Sequence, residues 1–98
     1  MTISMTDLAR VERFIRFVDE FTGLWDTLQR TTSVDETKDL VAKAARIIGY
    51  ALDEKAKLDG TELWEMVCTT SERFESNLNH FRERMREFEH SLKPIGSA

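Results

Sequence analysis

The chain predicts an all-α fold, a three-helix antiparallel bundle with a long third helix, and three observations carry that reading. Apolar residues recur at steps of three and four through three separate segments, a spacing that gathers them on one side of a helix. Thr31-Thr32-Ser33 and Asp59-Gly60 interrupt the pattern twice. No stretch alternates apolar and polar residues with the β-branched enrichment of a strand.

In the first segment the stripe is Leu8, Val11, Phe14, Val18, Phe21, Trp25 and Leu28. Thr6 or Asp7 is the expected N-cap, which gives a helix from about residue 7 to about residue 30. Ser33 with Glu36 three residues on reads as a capping box, in which each residue satisfies an N–H of the opening turn. It starts a second helix, 34–58, with Val34, Thr37, Val41, Ala44, Ile48 and Ala51 as its stripe and Leu40 and Ile47 widening it. The small residues Ala44, Ala45, Gly49 and Ala51 are expected to let a neighbouring helix approach closely. Asp59 with Glu62 repeats the capping-box spacing, and from Thr61 the stripe resumes as Leu63, Val67, Thr70, Phe74, Leu78, Phe81, Met85, Phe88 and Leu92. Pro94 and Gly96 are expected to end this third helix, 61–92. At 1.5 Å per residue it would be roughly 48 Å long against about 35 Å for each of the others, so its C-terminal half is expected to overhang them.

The 98 residues, 1–98, fit one domain, large enough for a modest core but not for a large enclosed active site. A hydrophobic share of 41% with 33% charged residues fits a packed helical protein better than a disordered tail. Fourteen basic and eighteen acidic residues give a net charge of −4, which argues against nucleic acid as a partner because phosphate binding needs a basic surface. Cys68 is the sole cysteine; it has no partner for an internal disulfide, which fits a reducing compartment. The longest apolar run, Ile47 to Leu52, is far below the ~20 residues of a spanning helix, although a helix lying in the interface stays possible. Met1-Thr-Ile-Ser-Met-Thr lacks the basic and apolar regions of a signal peptide.

No catalytic constellation emerges, and no cofactor or metal is expected. His80 and His90 lie about 15 Å apart along one helix, too far to share a metal ion. Glu87 and His90 have the Glu-x-x-His spacing of helical di-iron sites, but such sites need that pair twice with further glutamates, and a solvated surface pair is the plainer reading. Cys68 sits beside the stripe, where a small buried filler is a better role than a nucleophile. Trp25, Trp64 and Phe74 read as core. Arg82, Arg84 and Arg86 alternate with Glu83, Glu87 and Glu89 opposite the stripe, the pattern of a solvated face with opposite charges three and four apart. From Ser71 to Lys93 five basic and five acidic residues cancel, and an electrostatic membrane anchor is normally more cationic.

Leu24 to Leu28, then Thr37-Lys-Asp-Leu-Val-Ala-Lys-Ala-Ala-Arg-Ile-Ile-Gly-Tyr-Ala-Leu52, then Asn77-Leu-Asn-His-Phe-Arg-Glu-Arg-Met-Arg-Glu-Phe88 together resemble the N-terminal part of the peroxin-eleven family, the peroxisomal membrane-elongation proteins. In the resemblance Ile47 to Leu52 match a small-residue, glycine-containing helix end, and Leu78, Asn79, Arg82 and Arg86 match the second amphipathic helix. Val34 to Lys38 lack the glycine and arginine with which the family's helices open, the family's second helix is more basic, and its members continue into hydrophobic C-terminal segments. The chain would then be a shortened or divergent member, or the cytosol-facing part. The resemblance implies membrane remodelling by a helix lying in one leaflet, at the cytosolic face of the peroxisomal membrane.

The sequence therefore supports a non-enzymatic helical module, with two candidate targets for the third helix. One is a membrane surface, engaged by Phe74, Leu78, Phe81, Met85, Phe88 and Leu92 with Arg82, Arg84 and Arg86. The other is a partner protein or a second copy, bound through the same stripe as in a coiled coil by a small intracellular adaptor or subunit, cytoplasmic in that case. Charge balance on the third helix favours the second.

Overall fold

The computed structural model describes residues 4–92, with side chains described as far as Glu89. Three helices account for most of them: α1 (Met5–Arg30), α2 (Val34–Leu58) and α3 (Trp64–Leu92). Pro94 and Gly96, expected to stop the third helix, lie outside the described residues.

Local hydrogen bonding sets each boundary. Ser4, in extended conformation, accepts the Asp7 N–H on its hydroxyl at 3.1 Å. The cap is thus Ser4 rather than Thr6 or Asp7, and α1 begins half a turn earlier than its apolar stripe alone suggests. Ser33 caps α2 through the Glu36 N–H at 3.3 Å. The Asp59-Gly60 break works differently from the expected capping box. Asp59 closes α2, its N–H donating to the Lys55 carbonyl, and Gly60 follows at φ +81°, a left-handed conformation that costs glycine nothing. Thr61 turns back onto the Leu58 carbonyl through both its N–H and its hydroxyl. That bonding uses Thr61 to finish α2, so α3 starts at Trp64 and not at Thr61.

Packing is uneven around the bundle for reasons of side-chain size. On α2 the residues meeting the core include Thr37, Ala44 and Ala51, all buried, and α1 lies closest to this helix. Between α1 and α3 stand aromatic rings from both sides. Phe14 and Phe21 meet Phe74 edge-on at 6.3 and 5.6 Å, and Phe21 and Trp25 meet Phe81 at 5.6 and 6.2 Å. Edge-to-face geometry is favoured by the ring quadrupoles and adds about 0.5–1.5 kcal/mol per pair beyond burial. The rings also hold α1 and α3 farther apart, and α2 and α3 touch least.

These ring pairs fix the register. Phe74 lies between Phe14 and Phe21, and Phe81 between Phe21 and Trp25, with α1 and α3 running in the same direction. Arg30, the last residue of α1, therefore falls about a turn short of Leu92, where α3 ends. The expected overhang of the C-terminal half is reduced to about that turn, because parallel alignment with α1 matches most of the two lengths.

Candidate functional site

The third-helix stripe is the core. Phe74 is fully buried, and Leu78 and Phe81 are 5% and 6% exposed. Met85 is partly buried against the same cluster, Phe88 is of intermediate exposure, and the Leu92 side chain lies outside the described residues. Phe74, Leu78 and Phe81, named as part of a membrane- or partner-binding face, thus pack inside the chain, with Phe74 and Phe81 against rings of α1. Arg82, Arg84 and Arg86 are exposed, and Arg84 Nη1 approaches Glu87 Oε2 at 3.8 Å.

Other sequence candidates are scattered. His80 is exposed and lines a groove between α1 and α3 with Asn77, Glu83, Arg84 and Glu87 opposite Thr22, Asp26 and Gln29. Its walls carry both charge signs. Among the described residues no group of three or more His, Cys, Asp or Glu side chains could hold a metal ion, and the His90 side chain is outside them. Cys68 is half-buried, with Sγ donating to the Glu65 carbonyl at 3.5 Å, so it is less enclosed than the expected core filler. Trp25 is buried and Trp64 packs against the core from its margin. No helix of the described residues is long and apolar enough to cross a membrane.

Exposed large apolar side chains are spread over the three helices, with Met5, Leu8, Val34, Tyr50, Leu52 and Met66 among them, and an apolar groove lies where α1 meets α2. Leu24 and Ile47 form the walls of a groove of about 440 Å³, with Glu20, Gly23 and Thr27 along its α1 edge and Lys43 and Arg46 along its α2 edge. Gly23 faces open space, since a Cβ built there would meet nothing within 4 Å. Beyond it the Tyr50 ring lies on Phe17 with centroids 5.5 Å apart and a tilt of 35°, yet Tyr50 is 51% exposed. These residues were not singled out as a surface by the spacing. Their signal in the sequence is an apolar residue one step off the stripe, Phe17 beside Val18 and Leu24 beside Trp25, which turns apolar surface toward the flank of the helix.

A second feature that spacing missed is an ion cluster at the far end of the same interface. Glu54 is 8% exposed. Its Oε1 lies 3.5 Å from Arg13 Nε and its Oε2 4.0 Å from Arg10 Nε. Glu54 Oε2 and Arg10 Nε are buried and make no hydrogen bond within the described residues. Attraction between charges at that distance is real, but the geometry forgoes the hydrogen bonds that would offset desolvation.

No family model, curated protein or solved structure matches this chain.

Proposed function

We propose that the chain is a non-enzymatic helical interaction module that binds a partner protein on the outer face of α1 and α2. One observation carries this: the groove between Leu24 and Ile47, continued by the half-exposed Tyr50 on Phe17. A half-exposed aromatic ring beside partly buried aliphatic side chains on adjoining helices is the kind of surface a partner helix covers. Charged residues of both signs along the edges supply orientation at the rim. The groove is shallow and open, a shape that suits a helix better than a small substrate.

Photo-crosslinking tests the reading. With p-benzoylphenylalanine at Tyr50, irradiation in cells should give discrete protein adducts, whereas the same group at Glu72, on the exposed back of α3, should give none. Equal or absent adducts at both positions would contradict it.

The peroxin-eleven-like membrane reading, with its peroxisomal location, draws support from exposed Arg82, Arg84 and Arg86 beside the part-exposed Met85. Its cost lies in the same helix. Taking Phe74, Leu78 and Phe81 out of the core forfeits about 1.5–3 kcal/mol each, a sum comparable with the whole stability of a small domain, about 5–15 kcal/mol. A bilayer would return that for α3 alone, while Val11, Phe14, Val18 and Phe21 of α1 would lose their cover. Membrane remodelling by this stripe is therefore a reading in which the bundle opens.

A further inference from the structure

We infer that the partner seated on the α1–α2 groove is a second copy of this chain, related by a two-fold axis that runs along the groove. The inference rests on the interaction-module reading and names its partner. The edges of the groove differ in sign: Glu20 stands on the α1 edge, and Lys43 and Arg46 on the α2 edge, Lys43 already sharing its charge with Asp39 one turn back at 3.2 Å. A two-fold axis lying in the interface parallel to the helices opposes the two faces and lays each α1 over the other copy's α2. Glu20 of each copy then faces Lys43 and Arg46 of the other, twice over, as an isologous interface requires. A partner helix of a single charge sign would gain on one edge and be repelled on the other. Leu24 and Ile47 form the apolar lining between these charges, where desolvated contacts carry most of the affinity, and the space over Gly23 is open to the opposing copy.

Sedimentation equilibrium of the whole chain across micromolar to hundreds-of-micromolar concentrations should show a reversible monomer–dimer equilibrium. Leu24→Asp should leave only monomer, with the thermal transition kept because Leu24 lies at the margin of the core. Glu20→Lys alone, and Lys43→Glu with Arg46→Glu in a second variant, should each weaken the dimer at least tenfold. Mixing these two variants should restore association as a heterodimer, a result that loss of folding cannot produce. Wild-type chain that stays monomeric throughout, a dimer indifferent to Leu24→Asp, or a mixture no tighter than its components would each overturn the inference. Monomeric protein that still gives Tyr50 adducts with another protein would remove the second copy and leave the interaction module standing.

Discussion

Glu54 occupies the position on α2 where the spacing through Ala44, Ile48 and Ala51 leads one to expect an apolar side chain. It lies among Arg10 and Arg13, with one carboxylate oxygen and one guanidinium nitrogen ion-paired at 4.0 Å but without a hydrogen bond. The two arginines are not alike in burial from the carboxylate, since their side chains are 25% and 46% exposed against 11% for Glu54. Removing either side of the cluster therefore has unequal consequences. Glu54→Leu should change stability by less than about 1 kcal/mol, because both arginines reach water once released. Arg10→Leu with Arg13→Leu leaves a buried carboxylate unpaired and should cost about 2–3 kcal/mol, below the range for fully buried pairs because Glu54 keeps slight exposure. Urea melts of the two variants check the asymmetry; equal losses would show the attraction itself to be the stabilising term. A charge on a stripe is visible in the sequence, but the arginines that meet it come from another helix. Pairing of that kind is a tertiary fact that no spacing along one helix contains.

At the scale of the element, Ala44 and Ala45 are neighbours in sequence with opposite environments. Ala44 is 1% exposed at the close α1–α2 contact, while Ala45 and Gly49 face solvent. All were expected to help a neighbour approach; Ala44 and Ala51 do so. Ala44→Leu should overpack the contact and cost about 1–3 kcal/mol, whereas Ala45→Leu should stay within about 0.5 kcal/mol. Matching melting temperatures for the two would place α2 in another rotation about its axis. Helix existence, order and the buried stripes were legible because apolar spacing is the direct imprint of a buried face. The start of α3 was not, since Asp59 and Glu62 have capping-box identity but Thr61 is held back on Leu58. Helix α1 likewise starts at a cap, Ser4, that lies before any stripe residue.

At the scale of the whole molecule, the question is what covers each apolar face. Stripe length suggested a third helix longer than its neighbours, hence free surface at its end. Ring contacts between α1 and α3 set a parallel register in which the two helices match over most of their length, so the stripe from Phe74 to Phe81 seals the bundle from within. Among the surface left over is the flank of α1 and α2, built from residues one step off the stripes. Nothing in a one-dimensional pattern ranks that flank above the stripe, because both are apolar and only the alignment of helices decides which is covered. Hydrogen exchange, followed residue by residue with and without anionic vesicles, tests this division most directly. The account predicts that amides from Thr70 to Met85 exchange only through global unfolding, as slowly as those from Val11 to Leu28, and that vesicles leave them protected. Exchange in α3 faster by orders of magnitude, or protection of α1 lost when vesicles are added, would contradict it.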